Sequence, residues 1–353
     1  AVVIFLITFA VYFSTMAPTV SFWDTGEFIA TSHILGVPHP PGSPLFLLVG
    51  KFFSLIPISS DIAFRVNIFS PIISALTISL LFLICNQFID RVKPKDDNKF
   101  FKMWSSLTAS LTFAFTHSHW FNAVETEVYA FSGFMTALVI YLIMRWSEKI
   151  HNSNHVIYLI CISYIIGLAT GLHLLNLLTI PFIGLIIYFS IGKLSTKNLI
   201  ITTTLSLVSF FGIQSFIIKG LPQVTASIGL IGLMLLIISL ISVTVYSIKS
   251  SKAFLSIFLS SILLIIIGYS TYFSIFIRSG QDPNIDENNP ETIAEAISYL
   301  NRDQYGQMTI LPRKFNNLPS KISIVGSPEI ESKKFSFDQE IDYMFHDISS
   351  QAN

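Results

Sequence analysis

The sequence predicts an all-α polytopic membrane protein: a helical module of about nine spans over residues 1–278, followed by a short soluble C-terminal piece over 279–353. Three observations predict it. Apolar residues make up 52% of the 353 positions and charged residues 12%, with a mean hydropathy of +0.66, far more apolar than a soluble domain of this size requires. Apolar stretches of roughly 20 residues, the length that crosses a bilayer, recur along the first 278 positions. Lys and Arg gather in alternate connections between those stretches. The formal net charge is zero, so total charge points to no nucleic-acid or acidic partner. Cys85 and Cys161 lie inside apolar runs and read as small hydrophobes, not as a disulfide or metal pair. The chain opens inside an apolar run without Met and closes in a polar stretch, as a piece of a longer protein would.

In chain order, spans are expected near 1–18, 61–90, 102–117, 129–145, 198–218, 224–248 and 253–277. The stretch from Val156 to Gly192 is too long for one crossing and carries His173 and Asn176 near its middle, with Pro181 after them. It is therefore read as two short spans with a polar tip. Leu45 to Pro57 is too short to cross, and with Lys51 inside it is expected to lie at the interface. In the tail, Pro290 followed by Glu291-Thr292-Ile293-Ala294-Glu295-Ala296 reads as a helix start.

Charge sets the orientation. Arg91, Lys93, Lys95, Lys99 and Lys102 fill one connection, Arg145 and Lys149 a second, Lys193 and Lys197 a third, Lys249 and Lys252 a fourth. Nine spans place all four on one side, the cytoplasmic one. The other side receives the Asp24 loop, the His117–Tyr129 loop, the His173/Asn176 tip, the Lys219–Gln223 connection and the tail. Lys51, Arg65 and Lys219 are the cations opposing this assignment. Between His155 and Arg278 there is no Asp or Glu. A carboxylate acting at the membrane must then come from the first part of the chain or from the tail, with Asp24, Glu27, Asp61, Glu125 and Glu127 as the non-cytoplasmic candidates.

Acids just beyond apolar segments are costly to keep there, which marks them as functional. Phe22-Trp23-Asp24-Thr25-Gly26-Glu27-Phe28 is one such segment, and His117-Ser118-His119-Trp120-Phe121-Asn122-Ala123-Val124-Glu125-Thr126-Glu127-Val128-Tyr129 is the other. If helical, the spacing of three puts Asp24 and Glu27 on one face. Glu125 and Glu127 share a face only if extended. His117, His119, Glu125 and Glu127 invite a metal reading, but their spacing fits no closed metal signature, and neither a metal nor another cofactor is assigned. No Gly-rich phosphate loop, nucleophile elbow or paired-cysteine motif occurs.

At these residues the chain resembles a known family. Ser21-Phe22-Trp23-Asp24-Thr25-Gly26-Glu27-Phe28, His39-Pro40-Pro41-Gly42, Arg65-Val66-Asn67, Ala123-Val124-Glu125-Thr126-Glu127-Val128-Tyr129, Gly171-Leu172-His173-Leu174-Leu175-Asn176 and Tyr299-Leu300-Asn301-Arg302-Asp303-Gln304-Tyr305-Gly306 are similar to segments of protein O-mannosyltransferase-like membrane proteins of Bacteroidota and their animal relatives, within the GT-C glycosyltransferase superfamily. The resemblance runs over nearly the whole chain. It implies a GT-C-like helical module with the catalytic acid in its first external loop, a polyprenyl-phosphate sugar as donor, and a large soluble C-terminal region that is absent here. By resemblance the acceptor is a Ser or Thr of an exported protein, and the location a bacterial inner membrane with the site facing the periplasm.

Sugar transfer from a lipid phosphate to a hydroxyl needs a base at the acceptor, groups that bind the leaving phosphate, and a site at the lipid–water boundary. Asp24 is the candidate base, the alternative being that it caps a helix beginning near Gly26. Glu27 takes that role or orients the acceptor. His39, before two prolines, either acts directly or only ends the loop. Arg65 either binds the donor phosphate or pairs with Asp61 at i, i+4. His117, His119, Glu125, Glu127 and Tyr129 are candidates for substrate binding, as are His173 and Asn176, which otherwise form a satisfied polar tip. Two other classes are weighed against transfer: a transporter or lipid flippase using the acids for ion coupling, and a membrane scaffold presenting the tail. The clustering of acids in loops and their absence from later spans speaks against the transporter.

Overall fold

The computed structural model describes residues 1–92, 98–152, 154–191 and 194–306. Lys93, Lys95, Lys193 and the tail from residue 307 lie outside the described residues, so the expected soluble piece is described only at its start. Residues 1–304 form one compact unit. It is helical, and among the described residues the one β-type pairing is an isolated parallel bridge between Val37 and Asp286.

The helices are α1 (Val2–Thr15), α2 (Thr25–Ile34), α3 (Pro44–Leu55), α4 (Ile62–Asn67), α5 (Phe69–Val92), α6 (Lys99–Ala114), α7 (His117–Ala123), α8 (Val128–Glu148), α9 (Val156–Thr170), α10 (Thr179–Ile191), α11 (Thr196–Gly212), α12 (Gly220–Lys249), α13 (Ala253–Tyr269), α14 (Phe273–Ser279) and α15 (Ile293–Asn301). Among the described residues, five helical stretches are long and apolar enough to cross a membrane: Ile62–Val92, Val128–Glu148, Leu174–Ile191, Thr196–Lys249 and Ala253–Ser279. Thr196–Lys249 covers 54 residues, enough for two crossings. It is interrupted by a π-turn over Ile213–Ile218 and by non-helical backbone at Gly229. The remaining expected spans are shorter helices. α1 has 14 residues, α9 has 15, and α6 has 16 with Lys99 and Lys102 in its first turn.

Two boundaries differ from expectation for local reasons. The His117–Tyr129 segment is not wholly a loop, because its first half is α7. The tail helix begins at Ile293 and not at Pro290, because Thr292 and Glu295 form a capping box: the Thr292 hydroxyl accepts from the Glu295 N–H, and the Glu295 carboxylate accepts from the Thr292 N–H. At 12 residues, α3 reaches about 18 Å and cannot span. It buries Phe46 and Leu47 and exposes Leu48, Phe52 and Leu55, as an interfacial helix would.

α5 packs on α1, α6 and α8, α9 on α8 and α13, and α10 on α11. The later helices keep apolar faces outward: only 11% of the most apolar window of Thr196–Lys249 is buried within the protein, a surface that suits lipid and not water. One aromatic series ties the first loop to this bundle. Phe28 on α2 meets Phe46 on α3 edge-on, Phe46 meets Phe69 at the start of α5, and Phe69 meets Phe131 on α8, with ring centroids 5.1–6.1 Å apart. Such pairs exceed their area burial by about 0.5–1.5 kcal/mol each. They place α2, and the acids at its start, against the bundle end.

Candidate functional site

The two acidic segments meet. Asn67, at the end of α4 and fully buried, donates through Nδ2 to the carbonyls of Ala17 and Thr19, both at 2.9 Å, and its Oδ1 accepts the Thr126 hydroxyl. One side chain thereby joins residues 17–19 to the residue between Glu125 and Glu127. Ala17 N–H donates to the Val124 carbonyl at 2.8 Å, and the Ser21 hydroxyl donates to Glu125 Oε2 at 2.9 Å.

Asp24 occupies the residue before α2 but does not cap it. Its backbone is already helical (φ −75°, ψ −1°), not extended as a capping residue requires, because the left-handed Trp23 (φ 60°) turns the chain just before it. The Asp24 side chain makes no cap bond and is 59% exposed. The capping alternative is therefore corrected: the carboxylate remains available.

Glu27, one turn into α2, is the opposite case. Its carboxylate accepts the His39 backbone N–H at 2.6 Å and meets the His39 ring Nδ1 at 2.7 Å. A carboxylate only accepts, so Nδ1 carries the proton. Burial alone would lift the Glu27 pKa, but the two His39 hydrogen bonds and the imidazole charge hold it below the ordinary carboxylate value. His39 is raised in turn, first by its hydrogen bond to Glu27, which outweighs burial, and then by the charges of Glu27, Asp24 and Glu287. Its Nε2 lies 4.0 Å from Asp24 Oδ2. Among the described residues this trio also brings His and acid ligand atoms together, within 4.8 Å of one another, but its Glu27–His39 edge is already closed by hydrogen bonds.

Glu125 and Glu127 are buried at 5% and 7% exposure. Glu125 Oε1 has no hydrogen-bond partner, and burial raises the carboxyl. Glu127 is extended (φ −138°), and burial lifts its pKa from 4.5 to about 7, with the Asp24 and Glu125 charges adding to the rise. A carboxyl whose pKa is higher folded than unfolded contributes stability below the unfolded value and loses it as pH rises toward the folded one. Folding stability should therefore decline between about pH 4.5 and 7 through this residue, and Glu127→Gln should flatten that decline. Thermal melts in detergent across this range check it, and identical slopes in the two proteins would count against the assignment.

The other sequence-predicted residues are placed as follows. Arg65 does not pair with Asp61. Its guanidinium donates to the carbonyls of Ser59 (2.6 Å) and Ser54 (3.2 Å), while Asp61 caps α4 by accepting from Ala63 N–H and Phe64 N–H. His117 is exposed and stacked along Phe121. His119 turns away from the acids, against Tyr12 and Phe113, and burial lowers its pKa to about 4. His117, His119, Glu125 and Glu127 are therefore not brought together as a joint His/acid ligand set. The Tyr129 ring is half exposed, 5.3 Å from the His173 ring. Asn176 forms the satisfied tip: it donates to Ser132 Oγ and the His173 carbonyl and accepts from Thr136 Oγ1.

Sequence reasoning missed Asn67 as the joint between segments, although it stands in the Arg65-Val66-Asn67 string. It also missed the tail's part. Glu287 acts electrostatically on Glu27, His39 and Asp24, the Tyr299 hydroxyl bonds the Pro38 carbonyl, and the Arg302 charge lowers the His173 pKa after burial. What the residues can do follows from the geometry: one exposed carboxylate lies 4.0 Å from the His39 imidazole, in a cluster that also contains the buried acids Glu125 and Glu127.

Residues 24–197 match the family described as the protein O-mannosyl-transferase TMEM260 N-terminal domain. The chain is similar to protein O-mannosyl-transferase tmem260 of Dictyostelium discoideum, 26% identical over 230 residues that cover 62% of this chain and 26% of that relative. It is also similar to protein O-mannosyl-transferase TMEM260 of Mus musculus, 29% identical over 153 residues covering 42% of this chain and 20% of that relative. The chain thus spans about a quarter of the length of the curated relatives it matches. No solved structure matches it. Both relatives carry the name protein O-mannosyl-transferase, and the family match over residues 24–197 carries the same name.

Proposed function

We propose that this chain is the membrane module of a GT-C-type transferase that moves mannose from a polyprenyl-phosphate donor to Ser or Thr hydroxyls of exported proteins. The module crosses a bacterial inner membrane about nine times over residues 1–278, with the Asp24 cluster and the soluble segment 279–353 facing the periplasm. The observation that carries this reading is the free Asp24 carboxylate beside the Glu27–His39 pair, inside the residues that match the family.

In the transfer, the acceptor oxygen bonds to the sugar C1 as the bond from C1 to the phosphate oxygen breaks, and the lipid phosphate departs with the electron pair. The hydroxyl proton goes to Asp24. The His39 ring, held at Nδ1 by Glu27, keeps its Nε2 edge 4.0 Å from the Asp24 carboxylate and so orients the side chain beside the base. Arg65, His117, Tyr129 and His173 remain candidates for binding the donor or acceptor around this centre, and Asn176 supports the tip.

Detergent-solubilised full-length protein, incubated with polyprenyl-phosphate [³H]mannose and a Ser/Thr-rich acceptor from an exported protein, should incorporate label into the peptide in β-elimination-sensitive linkage. Lipid translocation in proteoliposomes without any label on peptide would replace the transferase reading with the flippase one.

A further inference from the structure

We propose that the tail segment 285–299 is a strap that completes the site, in which Tyr299 is a positioning residue that fixes His39 against Glu27 and Asp24. This rests on the transferase reading above. It is carried by contacts that residues 278–299, which lie outside the family match at 24–197, make with residues 34–42 inside it.

The strap is anchored at both ends. At its start, Arg278 donates to the carbonyls of Leu35 (2.7 Å) and Ile34 (3.2 Å) at the end of α2. Val37 N–H then donates to the Ile285 carbonyl at 2.8 Å, and Glu287 N–H to the Val37 carbonyl at 3.0 Å, which forms the parallel bridge. At its end, Tyr299 is 1% exposed and its hydroxyl donates to the Pro38 carbonyl at 2.5 Å.

That carbonyl and the His39 N–H belong to the same peptide group. In a trans peptide they point in opposite directions, so Tyr299 holds one edge of the plane while the Glu27 carboxylate holds the other at 2.6 Å. The group is clamped from both sides, and each bond polarises the other. The ring is fitted as closely as the hydroxyl. Gly42 has φ +90°, and a Cβ placed there would lie 2.5 Å from the Tyr299 oxygen, so the turn after the two prolines leaves room for this side chain only because residue 42 has none.

Two measurements test the strap. Cysteines at Val37→Cys and Asp286→Cys, in the full chain with Cys85→Ser and Cys161→Ser, should form a disulfide on mild oxidation in native membranes, read by mass spectrometry without reference to activity, since bridged residues sit within disulfide reach. Absence of the crosslink overturns the strap itself. Tyr299→Phe, which removes one oxygen, should lower kcat about tenfold with KM for donor and acceptor unchanged. Gly42→Ala, which displaces the ring but keeps the hydroxyl, should do likewise.

In a His39→Ala background, Tyr299→Phe should have no further effect, because Tyr299 acts through His39. Additive losses, or an unchanged kcat in both variants, overturn the positioning role. A crosslinking wild-type background that transfers no sugar overturns the transferase reading and the positioning role together, leaving the strap as architecture.

Discussion

Asp24→Asn should reduce sugar transfer by roughly 10²–10⁴-fold, the usual contribution of a positioned general base, while the protein remains inserted and folded. The amide keeps the size of the carboxylate but cannot accept the acceptor proton. Structural collateral should be small because the Asp24 side chain caps nothing and is 59% exposed. Glu27→Gln is the informative comparison. It removes the partner of His39, so it should damage both activity and the local fold, whereas Asp24→Asn should leave the melting temperature within about a degree of wild type. Transfer assays run beside thermal melts separate the two. Near-normal transfer by Asp24→Asn with a dead but folded Glu27→Gln would move the base to Glu27. Activity in both would send the search to Glu125 and Glu127.

The largest stability effect is expected at a residue with no chemistry of its own. Asn67→Ala removes the three hydrogen bonds by which one buried side chain joins the two acidic segments. The carbonyls of Ala17 and Thr19 and the buried Thr126 hydroxyl lose their partner. The buried Thr126 hydroxyl costs about 1–3 kcal/mol when left unpaired, and the bonds to the part-exposed Ala17 and exposed Thr19 carbonyls, which water can replace, cost about 1 kcal/mol each, so a total of about 3–5 kcal/mol is expected. The functional consequence is distinctive. With the segments uncoupled, Glu127 loses burial first and the Asp24 charge with it, so the decline of stability between about pH 4.5 and 7 should shrink along with transfer. Detergent melts at several pH values report both effects. An unchanged midpoint would mean that the Ala17–Val124 and Ser21–Glu125 bonds alone suffice to dock the segments.

Much of this protein is legible along the chain, since hydropathy and loop charge are local. A run of apolar residues must become a helix in lipid, because no other local structure satisfies its backbone there. The absence of acids between His155 and Arg278 confines carboxylate chemistry to the first loops and the tail before any contact is known. The spacing of Asp24 and Glu27 on one helical face is local too, and the helix forms as expected. The interfacial length of α3 and the helical start near Thr292 are of the same kind.

Which acid is free and which is paired is another matter. Asp24 and Glu27 are chemically alike and three residues apart, yet only Glu27 is hydrogen-bonded to His39, 12 residues on, while Asp24 lies 4.0 Å from the far edge of the ring. The burial that lifts Glu127, the Asn67 joint reaching 59 residues to Thr126, and the Tyr299 bond reaching 261 residues to Pro38 follow from how helices pack, and no periodicity records them. Sequence by itself determined a helical membrane protein with acids at its loop ends. Tertiary structure alone decided which of them is left exposed and which is hydrogen-bonded or buried, because hydrogen-bond partnership and desolvation are set by neighbours in space and not by neighbours along the chain.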